Sequence, residues 1–220
     1  MIEIAPAAPN APELAGALKI VLLLTFIGLI PGLLVAVTSF TRIIIVLSML
    51  RQALGMQETP PNMVLTGLAL FLTLFTMMPV VQEVNDKALE PFLNDRISMQ
   101  DAARGAAVPL RDFMVRHTRE QDLALMVEIA RAAPPASVEE IRLAHLVPAF
   151  MLSELRTAFQ IGFVIFLPFL LVDLVVSSVL MSMGMLMVPP IVISLPIKIL
   201  MFVLVDGWAL VVRSLVSGFS

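Results

Sequence analysis

The sequence predicts an all-α membrane protein, built from long, partly broken apolar helices that form hairpins around one hydrophilic, helical insert. Three observations carry this. Apolar residues make up 59% of the 220 positions and charged residues 14%, against about 45–50% and about 25% in ordinary soluble domains. Mean hydropathy is +0.98. The charges are also segregated: of 31 Asp, Glu, Lys and Arg residues, 19 fall between Glu83 and Arg142. A soluble globular domain, a disordered chain and a disulfide scaffold are all excluded, the last because the chain has no cysteine. A net charge of −3 gives no basic field for nucleic acid.

Residues 1–19 read as an Ala/Pro-rich leader without periodicity. It lacks a basic n-region and a cleavage-site pattern, so the apolar run from Ile20 reads either as an uncleaved anchor or as a segment exposed after removal of a signal peptide. Residues 20–82 hold two apolar helical segments. Ile20–Thr41 is free of charge and long enough to cross about 30 Å of hydrocarbon, with Pro31-Gly32 as the expected kink or break. Arg42 and Arg51 flank a short apolar run that stops at Gly55. Thr59 before Pro60 reads as the N-cap of the second long segment, 59–82. By the positive-inside rule the two arginines put their loop in the cytoplasm and the insert outside.

The insert, 83–147, reads as helical. Ser98–Asp101 and Ser137–Glu140 both have capping-box spacing. Leu110, Phe113, Met114, His117, Leu123, Met126, Val127 and Ala130 recur every three or four residues and form an amphipathic face. Pro134-Pro135 marks a break. Residues 148–220 then return to apolar sequence as a hairpin whose two arms, about 148–180 and 191–217, are joined by a Met-rich loop, 181–188. The first arm spans about 50 Å if continuous, too long for a simple membrane hairpin.

Two features invite a functional reading. Met181, Met183, Met185 and Met187 alternate with other residues. On an extended segment all four thioethers share one side, whereas a helix scatters them, so a non-helical tip is expected. That tip carries no charge. It fits either Met-rich packing inside a membrane protein or a soft ring that closes a pore where several copies meet. The second feature is a set of isolated ionisable residues, Glu154, Asp173, Lys198 and Asp206, each costly in apolar surroundings unless paired. A buried Glu154–Lys198 pair across the two arms is the expected pairing, with Asp173 and Asp206 as rival partners for the lysine. His117 and His145 have no metal-site spacing, and no phosphate loop, nucleophile elbow or zinc signature is present. No enzyme, cofactor or metal is indicated.

The stretches SFTRIIIVLSMLRQALG (39–55), TPPNMVLTGLALFLTLFTMMPV (59–80), FMVRHTREQDLAL (113–125), LVPAFMLSELRTAFQIGF (146–163) and DLVVSSVLMSMGMLMVPPIVISLPIKILMFVLVDGW (173–208) closely resemble the FliP family of flagellar type III export-gate proteins. Their virulence-system counterparts form the SctR family. The resemblance covers about residues 20–216, and RQALG, FQIGF and MVPP favour the flagellar branch.

It implies a structural pore subunit, assembling as five copies with FliQ- and FliR-like subunits into a helical ring complex that works with FlhA/FlhB-like components. Unfolded flagellar rod, hook and filament proteins pass through its centre. It implies a location in the bacterial inner membrane at the basal body, with much of the chain on the periplasmic side. By the same resemblance the methionine loop seals the closed channel, Glu154 and Lys198 sit at characteristic charged positions, and Phe113 is a subunit contact or, equally, a core residue. Leu186 replaces a methionine common in such loops, and Arg213 stands where an uncharged residue is expected. The alternative is a proton-coupled secondary transporter using Glu154, Asp173 and Asp206 as a relay, weakened by the missing internal repeat and the small number of spans.

Overall fold

The computed structural model describes residues 11–133, 135, 137, 140–185 and 187–219. Among these every regular element is a helix. Helix α1 (Ala11–Ala36) forms a unit of its own through residue 35. It runs through Pro31, so Pro31-Gly32 does not end the helix. Its 19 residues from Leu18 are long and apolar enough to span a bilayer.

The second unit starts at Ala36. At its centre is α2 (Phe40–Ala53), the run between the two arginines. Ile43, Val46, Leu47 and Leu50 recur at helical spacing and are buried. The helix closes on Gly55, which has φ +80°: the Gly55 amide donates to Gln52 O and the Met56 amide to Arg51 O, a Schellman cap. Arg51 then fixes the connection, its Nη1 donating to Pro60 O and Asn62 Oδ1.

Helix α3 (Asn62–Val84) begins after Pro61, so Thr59 is not its N-cap. Pro61 disfavours helical backbone at the residue before it, Pro60, so the helix starts two residues later than the spacing suggests. The helix continues through a π-helical turn (Asn85–Leu89) into α4 (Glu90–Leu93), giving 32 continuous residues. The hydrophilic insert therefore opens as an extension of an apolar helix.

Helix α5 (Met99–His117) starts at the expected Ser98 cap, whose Oγ accepts from the Asp101 amide and donates to Asp101 Oδ2. Helix α6 (Glu120–Ile129) begins after a two-residue turn, with Glu120 and Asp122 at its positive end. Phe113, Met114 and Val127 of the amphipathic face are buried, while Ala130 is exposed. At the second capping box the Glu140 amide donates to Ser137 O at 3.2 Å, while Pro134, Val138 and Glu139 lie outside the described residues.

Helix α7 (Leu143–Ser182) is 40 residues long, about 60 Å. It lies along α2 and α6. Gly162 allows the close crossing with α2, since a Cβ there would sit 2.3 Å from Met49 Sδ. Helix α8 (Pro190–Leu204) returns beside α7. It turns by 64° into α9 (Gly207–Ser217) at Asp206, a left-handed residue with φ +51°; Asp tolerates that conformation better than most. The core has two parts: one around α2, α7 and α9, the other where α5 meets α3 and the start of α7.

Among the described residues three helices are long and apolar enough to cross a membrane, four if α8 and α9 count as one bent span. Some hydroxyls inside these stretches bond back to their own helix, as with Thr73 to Ala69 O and Ser178 to Leu174 O.

Candidate functional site

Three buried polar clusters hold the second unit together. In the first, Arg42 at the start of α2 meets Glu154 in α7. Arg42 Nε donates to Glu154 Oε2 at 2.8 Å and Nη2 donates to Oε1, a bidentate pair. Glu154 is 0% and Arg42 4% exposed. The remaining guanidinium nitrogen, Nη1, donates to Gly218 O at 3.0 Å, and the guanidinium lies 3.8 Å from the centre of the Phe219 ring. One arginine thus ties α2, α7 and the end of α9.

In the second cluster Lys198, in α8, bridges Asp173 Oδ2 of α7 at 2.5 Å and donates to Ala53 O at the negative end of α2 at 3.2 Å. The expected Glu154–Lys198 pair is therefore replaced by two others, and Lys198 takes one of its rival partners, Asp173. The reason is α2. It carries Arg42 to the Glu154 level of α7, and its last turn to the Lys198 level. Arg42 is accordingly an interior side chain, which removes one of the two cations behind the topology argument.

Sequence reasoning missed the third cluster. Asp122 looked like one of many charges in a solvated insert, yet it is almost fully buried. Its Oδ2 accepts from Ser153 Oγ at 2.7 Å, and Ser153 Oγ in turn accepts from the Arg119 amide at 3.0 Å. Arg156 lies 3.6 Å from Asp122 Oδ1. Ser153 and Arg156 sit on the faces of α7 beside Glu154, so both acids pin partners to a single helical turn. The available signal was Asp122 next to an apolar stripe in the first turn of α6.

Phe113 is 2% exposed and packs against Phe150, Phe219 and His117. A side chain with no free surface cannot present a subunit contact, so the core alternative replaces the interface expectation. His117 closes this aromatic group, with Nδ1 2.8 Å from Phe113 O and its ring 5.3 Å from that of Phe219. Burial holds its pKa below the usual value near 6.5. The bond to Phe113 O acts the other way, and Arg42 and Arg116 reinforce the lowering.

A depressed histidine contributes nothing above pH 6.5, where both folded and unfolded chains are neutral. Below that, the unfolded chain takes up a proton that the folded chain resists, so stability falls as pH drops through about 6.5. Between pH 7 and 5 the melting temperature of His117→Gln is expected to fall less steeply than that of the unchanged protein. Equal slopes would show that His117 is not held neutral.

The methionine tip differs from its expected form. Helix α7 continues through Met181 and Ser182. Gly184, with φ +73°, then closes it: the Gly184 amide donates to Met181 O and the Met185 amide to Leu180 O. The tip is thus a Schellman-capped helix end leading into a turn, not a uniformly extended segment, because glycine at C′ permits the cap. Met181, Met183, Met185 and Met187 are 68, 66, 42 and 96% exposed, and Leu186 lies outside the described residues. Large apolar side chains also stand uncovered on α3 (Phe71, Phe75), α7 (Phe159, Phe163) and α8 (Leu200, Leu204). All the carboxylates singled out beside these faces, except Asp206, are spoken for by cations within the chain.

Residues 23–215 match the FliP family. The chain belongs to the FliP family. It is 54% identical over 209 residues to the flagellar biosynthetic protein FliP of Bacillus subtilis (strain 168), covering 94% of this chain and 95% of that one. To the FliP of Pectobacterium carotovorum subsp. carotovorum it is 54% identical over 203 residues, 92% of this chain and 79% of that one. To that of Aquifex aeolicus (strain VF5) it is 46% identical over 210 residues, 94% and 87%. The matched span includes all three polar clusters except the Gly218–Phe219 contact, and it includes the methionine tip. A flagellar biosynthetic role and an all-helical, apolar fold therefore belong to one FliP-type chain.

Proposed function

We propose that the chain is a structural pore subunit of the flagellar type III protein export gate. In this reading five copies assemble with FliQ- and FliR-like subunits, alongside FlhA/FlhB-like components. The assembly stands in the bacterial inner membrane at the basal body, with much of the chain on the periplasmic side, and unfolded rod, hook and filament proteins pass through it. The chain carries out no catalysis.

The observation that carries the reading is the uncharged tip with four exposed methionines at the end of a 40-residue helix. A monomer would leave this costly apolar surface in water, and Met packs well against partners of changing shape. The subunit contacts of such an assembly fall on the uncovered faces of α3, α7 and α8. The transporter alternative finds less support: Glu154 and Asp173, two of its three relay candidates, are engaged by Arg42 and Lys198, and Glu154 has no access to water.

Co-expression with FliQ- and FliR-like partners, with native mass spectrometry of the product, is expected to give a complex holding several copies of this chain. A stable monomer that conducts a small ion would overturn the reading.

A further inference from the structure

The methionines of this chain differ widely in access to water. Met77 and Met114 are closed inside the helical core, whereas Met181, Met183, Met185 and Met187 stand out from the end of α7, Met187 with nearly its whole surface open. Met63 and Met99 are also exposed, but each is alone in its stretch of sequence. The tip keeps its form without help from the sulfur atoms. Backbone bonds at Gly184 and Met185 close the helix, and Ser182 Oγ donates to Val179 O.

Exposure decides which thioethers meet an oxidant. The sulfur lone pair of methionine attacks one oxygen of hydrogen peroxide, and the O–O bond breaks. That oxygen stays on sulfur. The other leaves as hydroxide and takes the proton of the new S–OH group, giving water and a sulfoxide. Sulfur gives up two electrons, which the peroxide gains.

We infer that Met181, Met183, Met185 and Met187 form a peroxide-oxidation site, at which conversion to sulfoxide makes the apolar tip polar and opens the closed gate to small solutes. The consequence rests on the gate reading; the modification does not. A sulfoxide is a polar group where the thioether was apolar, and a hydrophobic constriction closes only while it stays dry. Every copy brings four such positions to the same ring, so even partial oxidation places several polar groups at one level. Sulfoxides are reducible by methionine sulfoxide reductases, so the opening is reversible.

The test uses the complex assembled with FliQ- and FliR-like partners, in vesicles, treated with hydrogen peroxide. Sulfoxide at each methionine is read by peptide mass spectrometry. It is expected several-fold faster at the four tip positions than at Met77 and Met114, together with faster entry of a small solute. Reductases acting on both sulfoxide epimers should reverse both changes. With all four tip methionines changed to leucine, which takes up no oxygen, the peroxide-induced rise should vanish whatever the starting leakage. Met63→Leu with Met99→Leu should keep it. Tip methionines that oxidise as slowly as Met77 overturn the site, and tip sulfoxide without added leakage overturns its effect. An alanine tip that leaks while an oxidised tip does not would refute this inference and leave the gate reading standing. Failure of the complex to form would remove the gate reading and the leak with it, while tip sulfoxide is still read on the detergent-solubilised chain.

Discussion

Glu154→Ala is expected to destabilise the folded chain by about 3–5 kcal/mol, the usual cost of orphaning one partner of a buried ion pair. The alanine leaves Arg42 facing an apolar interior with only Gly218 O and the Phe219 ring. A guanidinium cannot shed its proton to escape, so this cost persists at every accessible pH. Thermal unfolding of the detergent-solubilised protein should show the loss directly.

The design of the pair gives a sharper test. Replacing both partners by apolar residues of similar length, Arg42→Met with Glu154→Leu, should recover most of the lost stability, because no charge then remains to be desolvated. Exchanging charges between positions 154 and 198 should rescue nothing, since those side chains do not meet. Lys198→Ala should cost less than Glu154→Ala: the Asp173 side chain is 39% exposed and water can solvate it once the lysine is gone. A Glu154→Ala variant that melts like the unchanged protein would remove the bridge from the account of this fold.

The contrast between these two pairs also shows where the sequence was readable. Local signals worked wherever a few adjacent residues decide the outcome. Gly55 ends α2, Ser98 caps α5, and the stripe through Phe113, Met114 and Val127 is buried. Partner choice was not readable, because Glu154 and Arg42 are 112 positions apart and are brought together only by the crossing of α2 over α7 at Gly162. Along the chain Arg42 merely flanks an apolar run, which is also what a loop cation does. Asp122 was hidden for the opposite reason: it stands among many solvated charges, and only Ser153, from another helix, makes it an interior residue. At the methionine tip the alternating spacing argued for a non-helical strand or loop, and the chain leaves the helix only after Ser182. Gly184 outweighed the spacing up to that point, because a single residue free to adopt positive φ is enough to carry the helix through Ser182.

Changing Met181, Met183, Met185 and Met187 to alanine is expected to leave assembly intact and to make the closed gate leak small solutes. The first half rests on exposure. None of the four is buried in the chain's own core, and exposed substitutions of this kind usually change stability by no more than about 0.5 kcal/mol. The Schellman cap depends on Gly184 and on backbone groups at Met181 and Leu180, all of which alanine preserves. The second half rests on what the thioethers supply. Each carries three flexible bonds and a polarisable sulfur, so a ring of them can close around an irregular axis without a fixed shape. It can also exclude water hydrophobically, and alanine is too short to reach across. The expected measurement is therefore a pair: an unchanged complex mass in native spectrometry, and faster entry of a small solute into cells or vesicles holding the assembled gate. Unchanged leakage with an unchanged mass would deny the tip its sealing role and return the methionines to ordinary packing against neighbouring subunits. A lost complex would mean instead that the tip holds the assembly together, a role at odds with a soft seal that must yield to passing protein.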